Sequence, residues 1–457
     1  MQGAVDTILD AVGRTPIVRL SKIGAELEAS LFAKCEYLSP SGSAKDRMAR
    51  ALVDAAEASG ELHPGGTIVE ATSGNTGAAL ALVAAVRGYK CVCVVPDKIG
   101  PEKIASLRAY GARVVVAPSA VEPDDSRSLR SVARRLAKST PNAWFANQFE
   151  AAAGPAAYAA SLGPEIWEQT GGELDAVVVG VGSGATAMGL AQFLKAKKPE
   201  LAVIGVEPRG SLFSELARSG RVTAPSAYQL EGIGSDFVPK ILDLGRLDAL
   251  LQVEDGEAFR TTRDLVRLEG LYAGGSSGAV VAAAVAWARA QGGPRRVLAI
   301  LADRASAYSS KIFDDAWMRE NGFLPDEEGL GTVRDLLHLK GGEGVITAKA
   351  HDRVRDVVNR MKAHGISQLP VMRDDALLGA VAEVDLLRYL VSGESSLDGH
   401  VEPLVESHYA TASLDTRIEE LQAALAEAGM AIVVEDGRVA GIVTKIDLID
   451  YLARRAS

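Results

Sequence analysis

At 457 residues the chain is longer than a single hydrophobic core usually supports, so two or more domains are expected. A formal charge of −10 and a pI near 5.3 argue against a nucleic-acid or anionic-membrane surface, because either needs a basic face. Asp6 and Asp10 stand where a secretory signal needs a basic and then an apolar stretch. The longest apolar run, residues 78–86, is too short to cross a bilayer, and a cytoplasmic protein is expected.

Along the chain, the first segment that stands out is Ser41-Gly-Ser-Ala-Lys45-Asp-Arg47. By itself a Lys-Asp-Arg triplet is an ordinary charged helix start; here a Gly/Ser loop precedes it and would turn the lysine toward a sheet edge. A β-branched run at residues 67–70 predicts a strand. It leads into Thr72-Ser-Gly-Asn-Thr-Gly77 and a helix over 78–87, so the loop suits a carboxylate at a helix N-terminus, with N-capping by Ser73 or Asn75 as the simpler alternative.

Cys91 and Cys93 lie two apart in the next predicted strand, 91–95, on one face. With Cys35 they read as reduced core thiols rather than a redox pair. After a strand at 113–117, the run 175–180 opens into Gly180-Val-Gly-Ser-Gly-Ala-Thr186, a candidate phosphate loop. A dinucleotide site is its rival, but the GxGxGx spacing and the position of Glu207, which closes the strand at 202–207, do not fit that fingerprint. Gly274-Gly-Ser276-Ser-Gly278 opens a helix over 279–290, and a last strand is expected at 297–301. Of six histidines only His63 precedes residue 330, so neither a histidine triad nor a metal site is expected in this region.

Continuous apolar strands alternating with alanine-rich helices predict an α/β domain with open parallel sheets. The acidic Pro325-Asp-Glu-Glu-Gly329 then reads as a linker. Beyond it Gly379-Ala-Val-Ala-Glu-Val-Asp385-Leu-Leu-Arg-Tyr389-Leu returns about 62 residues later as Gly441-Ile-Val-Thr-Lys-Ile-Asp447-Leu-Ile-Asp-Tyr451-Leu. Each copy reads strand, helix, two strands, helix. The expected boundaries are 1–324 for the first domain, 325–331 for the linker, and 332–392 and 399–457 for the repeats.

Four loops far apart in sequence thus offer what a lysine-bound pyridoxal phosphate needs: an amine for its aldehyde, backbone N–H groups for its phosphate and a polar neighbour for its ring nitrogen. If Ser276 is that neighbour, with Ser277 the next candidate, a neutral hydroxyl cannot keep the nitrogen protonated as a carboxylate would. Loss of a β-substituent is then favoured over transamination.

On these motifs, residues 7–323 resemble the fold-type II pyridoxal phosphate enzymes of the cysteine synthase and cystathionine β-synthase superfamily, with their tryptophan synthase β-like domain. Glu231-Gly-Ile-Gly-Ser-Asp236-Phe-Val-Pro239 and Tyr308-Ser-Ser-Lys-Ile-Phe-Asp-Asp-Ala-Trp-Met318 look more like the cystathionine β-synthases, and the repeated tail resembles a tandem pair of CBS domains, a Bateman module. The resemblance implies that Lys45 is the Schiff-base lysine and proton shuttle and that Asn75 meets the cofactor's 3′-oxygen. It implies that Gly182, Ser183, Gly184, Ala185 and Thr186 hold the phosphate, that Ser276 faces the ring nitrogen, and that Thr72, Ser73, Thr76 and Gln148 hold the substrate carboxylate. In the tail, Thr444 and Asp447 complete a ribose-binding Thr/Ser-x-x-Asp pattern for AMP, ATP or S-adenosylmethionine, whereas the first copy has Ala382 with Asp385.

The activity implied is β-replacement of L-serine, or an activated serine, by L-homocysteine to give L-cystathionine in transsulfuration. Phe149, where cystathionine β-synthases usually carry tyrosine, keeps open synthesis of cysteine from O-acetylserine or O-phosphoserine and sulfide. Ser183 and Ala185, where the family has threonine and glycine, keep open a non-catalytic protein that senses an adenosine ligand. A homodimer or higher homo-oligomer is implied. No haem is expected, because the haem-binding extension of animal enzymes does not precede the domain.

Overall fold

A computed structural model describes residues 4–122, 125–222, 224–324, 330–340, 345–374, 376–392, 396–407, 409–435 and 438–455. The chain forms two compact units, 1–324 and 325–457. The linker segment Pro325 to Gly329 lies outside the described residues.

In the first unit the apolar runs assemble into two sheets rather than one. The larger has the strand order Ile17–Arg19, Ser30–Cys35, Arg296–Leu301, Ala176–Gly180, Ala202–Pro208, Ala249–Val253, parallel except at its first edge. The smaller is all parallel, in the order Arg113–Ala117, Lys90–Pro96, Thr67–Ala71, Ala143–Phe145. Side chains of one strand alternate between the two faces, so Ala176 and Val178 enter one core while Val177 and Val179 enter another. Helices cover both faces, which is why each strand reads as apolar throughout. Cys91 and Cys93 share a face of the small sheet, buried with sulfurs 3.7 Å apart. The helix Lys45–Ser59 makes the crossing from the large sheet to the small one, so Lys45 stands at its first turn between them.

The second unit repeats a three-stranded sheet: Ala348–Lys349, Gln368–Arg373, Ala376–Ala382, then Ala410–Ala412, Met430–Glu435, Arg438–Thr444. Each has one parallel and one antiparallel pairing, and each carries a register shift at the equivalent place, Val371/Met372 and Val433/Val434. Packing and sequence repeat part company at their edges. The helix Val333–Lys340 opens the first copy, ahead of its sheet, yet buries Val333 and Leu336 in the core of the second, against Leu448 and Tyr451. In turn Val401 and Val405, which open the second copy ahead of its sheet, pack on the first. The matching glycines explain the exchange: a Cβ on Gly379 would lie 2.4 Å from Val405, and one on Gly441 would lie 2.6 Å from Leu337. Each groove admits a segment from the other side of the repeat.

Candidate active site

The Lys-Asp-Arg triplet is an anchored helix start, not a solvated turn. Asp46 and Arg47 are only 1% and 6% exposed. The Asp46 carboxylate takes the Ser41 N–H at 2.7 Å and its hydroxyl. Arg47 donates twice to buried Glu36, at 2.7 and 2.9 Å, and once to Glu165 at 2.9 Å. Ala44 is held by its N–H on Ala302 O, 2.8 Å, and by the Tyr158 hydroxyl on its carbonyl, 3.0 Å. With its neighbours fixed on both sides, the Lys45 side chain lines a cavity with Gly182, Ser183, Gly184, Thr186 and Ser276. Desolvation pushes its ammonium toward the neutral amine, and the Asp303 carboxylate opposes that only in part.

Four of the five proposed phosphate-loop residues face this cavity. Ala185 does not line it: its methyl group points toward Gly154, where a Cβ would lie 3.5 Å away. The alanine replacing the family's glycine therefore leaves the cradle clear, and Ser183 adds a hydroxyl to it. Gly182 must be glycine because a Cβ there would come within 2.9 Å of Gly232 O, and Gly184 has φ +88°. Gly184 is also the N-cap of the helix Ala185–Lys197 and supplies no side chain to its first amides, which leaves a helix N-terminus open to an anion. Ser276, 3% exposed, comes from the equally uncapped start of Gly275–Gln291. The buried Ser277 hydroxyl, its rival, has no partner, but Ser277 does not line the cavity. An amine, an anion cradle and a neutral hydroxyl in one cavity fit a lysine-linked pyridoxal phosphate.

The Thr72–Gly77 loop is held together largely by its own side chains. Gly74 is the N-cap of Asn75–Arg87 and supplies no side chain, so the alternative of capping by Ser73 or Asn75 fails. Thr72 instead closes its own loop, accepting from the N–H groups of Gly74, 3.0 Å, and Gly77, 3.2 Å. Thr76 donates to Gln148 at 2.7 Å, and Ser73 is exposed. Asn75 does not line the Lys45 cavity: its amide donates to Asp303 at 2.7 Å.

Asp303, 1% exposed, is the residue that no motif announced. It also takes the Tyr308 hydroxyl at 2.5 Å, while its second oxygen has no partner. Burial raises its carboxyl, offset by Lys103, Tyr308, Asn75 and Lys45. Next to it Lys103 and Lys311 each meet Glu231 at 2.6 Å, and Lys103 lies over the Tyr308 ring. Glu70, wholly buried at the end of its strand, has its carboxyl pushed up to about 8 by burial, with Gln148 and nearby backbone amides recovering only part.

In the tail, Asp447 accepts the Thr444 N–H at 2.8 Å and its hydroxyl at 2.7 Å, and Lys340 lies 2.9 Å away. Thr332 and Asp335 form the same pair at 2.9 and 2.9 Å. The second copy is therefore not alone in placing a hydroxyl three residues before a carboxylate at a helix start. In the first copy the Ala382 N–H still meets Asp385 at 3.0 Å, with no hydroxyl.

The pyridoxal-phosphate dependent enzyme family matches residues 8–303, and the CBS domain matches 332–392 and 401–454. The chain is 36% identical to a cystathionine beta-synthase of Oryctolagus cuniculus, over 98% of this chain and 85% of that protein. It is 32% identical to that of Saccharomyces cerevisiae, over 98% and 97%. Among solved structures, O-ureido-L-serine synthase superposes with a TM-score of 0.63 at 37% identity, covering 69% of this chain and 99% of that one. No helix among the described residues is long and apolar enough to cross a membrane. With a lysine-lined anion cradle in the first unit and paired repeats in the second, the chain belongs to the cystathionine β-synthase family of pyridoxal-phosphate dependent enzymes.

Proposed function

We propose that the protein condenses L-serine with L-homocysteine to L-cystathionine and water, by β-replacement at Lys45. The observation that carries this reading is the shared cavity: a desolvated lysine amine, an uncapped helix N-terminus and the Ser276 hydroxyl line one space. When bound, pyridoxal phosphate supplies the electron sink that lets Cα release a proton and Cβ lose its substituent. The cradle of Gly182, Ser183, Gly184 and Thr186 would hold the phosphate, and Ser276 would set a neutral hydroxyl beside the ring nitrogen. The Lys45 amine would take the Cα proton and later return one, and its depressed proton affinity suits it to act as the base. The Cβ–O bond breaks as hydroxide leaves with a proton, and the homocysteine sulfur forms the new bond to Cβ while losing its own. The exposed Ser73 and the turn that opens Asn75–Arg87 would receive the substrate carboxylate, braced by Thr72, Thr76 and Gln148.

Product analysis with serine or O-acetylserine, each paired with homocysteine or sulfide, tests the reading. Cystathionine from serine and homocysteine is expected as the main product. Cysteine alone, in every pairing, would assign the protein to cysteine synthesis instead.

CBS domain pairs bind adenosine-containing ligands as a class. Here AMP, ATP or S-adenosylmethionine would meet Asp447 and Thr444, and the ligand would have to displace Lys340 from that carboxylate.

A further inference from the structure

Among the described residues Tyr158 is the largest fully buried side chain, and it stands in the helix Ala153–Ala160, which no motif marks. That helix is wedged between the one that Lys45 opens and the one that the phosphate cradle opens. Gly154 faces both, since a Cβ there would lie 3.5 Å from Met48 Sδ and 3.5 Å from the Ala185 methyl group. On the side of the cradle the approach is closer still: a Cβ on Gly189 would come within 2.6 Å of Tyr158 Cβ and 2.4 Å of Pro155 O, so only glycine admits the helix. Small residues thus bring the tyrosine between the two segments that must act together on one cofactor.

The ring packs in an apolar core with Met48, Ala185 and Met188, a place that phenylalanine would fill as well. Its hydroxyl needs a separate reason, because an O–H buried without a partner is costly. It donates to Ala44 O at 3.0 Å, one residue before Lys45. A hydroxyl carries one proton, so with that proton on Ala44 its oxygen is left to accept. The polar side chain that meets it there is Thr186, whose hydroxyl offsets part of the rise that burial gives the phenol. Thr186 lines the Lys45 cavity and Tyr158 does not, so the tyrosine acts through its neighbours.

We propose that Tyr158 is a positioning residue that ties the phosphate cradle to the Schiff-base lysine, its hydroxyl joining Ala44 O to the Thr186 hydroxyl and so fixing how far the Lys45 amine stands from the phosphate. The cofactor presents its aldehyde and its phosphate on adjacent positions of one ring, and both ends are held at once only where amine and cradle keep a set separation. The assignment rests on Lys45 being the lysine that the cofactor joins.

The test titrates the full-length protein, freed of cofactor, by absorbance with pyridoxal phosphate and separately with pyridoxal, which has the aldehyde but no phosphate. Tyr158→Phe keeps the ring and removes only the hydroxyl. The preference for pyridoxal phosphate over pyridoxal, as a ratio of Kd values, should fall about tenfold, the size expected for one hydrogen bond in a buried setting. Thr186→Val should lower the same ratio, and the double variant should lose less than the product of the two single losses, because the pair acts as one unit. An unchanged ratio in Tyr158→Phe, or an equal loss with both ligands, would overturn the assignment and leave the tyrosine a core residue with a satisfied hydroxyl. Losses that simply multiply in the double variant would do the same. Borohydride trapping of the cofactor on a lysine other than Lys45 would instead remove the reading on which the assignment rests.

Discussion

The two units use the same kinds of residue in opposite ways. At the helix starts of the tail, Thr332 with Asp335 and Thr444 with Asp447 satisfy one another, and their carboxylates lie where water can reach them. In the catalytic unit the helices Asn75–Arg87, Ala185–Lys197 and Gly275–Gln291 have glycine N-caps that supply no side chain, while Asp303 and Ser277 are each buried with an idle oxygen. Leaving a buried polar atom unpaired costs about 1–3 kcal/mol, so the idle oxygen of Asp303, whose charge acts on Lys45, reads as a group held for a ligand rather than for the fold. A satisfied pair at an exposed helix start carries no such implication, because capping alone accounts for it.

The sharpest way to break this contrast is at Lys45. Lys45→Ala should lower kcat by at least about a thousandfold, removing both the amine and the proton carrier. The protein should stay folded, because Ala44, Asp46 and Arg47 keep the segment in place. Retained activity together with an unchanged cofactor spectrum would show that another group does the work.

A second test lies in the sign of the pH dependence. Glu70 has its carboxyl raised from 4.5 to about 8, so the folded state holds a proton that the unfolded chain has released. Its contribution to stability is therefore lost as pH climbs from about 4.5 to 8, by roughly 3–5 kcal/mol. Asp447 runs the other way: burial opposes, but Thr444 and Lys340 hold its carboxyl down, so its contribution is present above the ordinary carboxylate range and lost in acid. Urea unfolding of Glu70→Gln should show a flatter alkaline side and greater relative stability at pH 9 than at pH 5. Parallel pH profiles for the variant and the wild type would contradict the assignment.

The smallest effect separates a cap from a site within the tail. Asp335→Ala and Asp447→Ala should each destabilise the tail by about 1 kcal/mol through loss of the cap. Only Asp447→Ala should abolish most adenosine-ligand binding, read by calorimetric titration with AMP, ATP and S-adenosylmethionine. Equal affinities in both variants and in the native protein would reduce Thr444 and Asp447 to a helix cap.

This difference also explains what could be read in the sequence. The strands were legible because burial on both faces leaves continuous apolar runs, and the repeat was legible because each copy carries its own core. Glycine loops announced the cradle, since close approach of Gly232 O to Gly182 tolerates no side chain. That Ala185 turns its methyl group away from the cavity was not legible, because a motif gives order along the chain and not the direction of a side chain. Asp303 and the exchange of Val333–Lys340 onto the second repeat depend on contacts between residues far apart in sequence. No local pattern encodes them.

The claim on which the rest depends is that the cofactor is joined to Lys45, and chemical trapping measures it directly. Borohydride reduction of the holoprotein, followed by proteolysis and mass spectrometry, should place the pyridoxyl phosphate mass on the peptide bearing Lys45. Labelling of Lys103 or Lys34 instead, or of no lysine at all, would contradict the account.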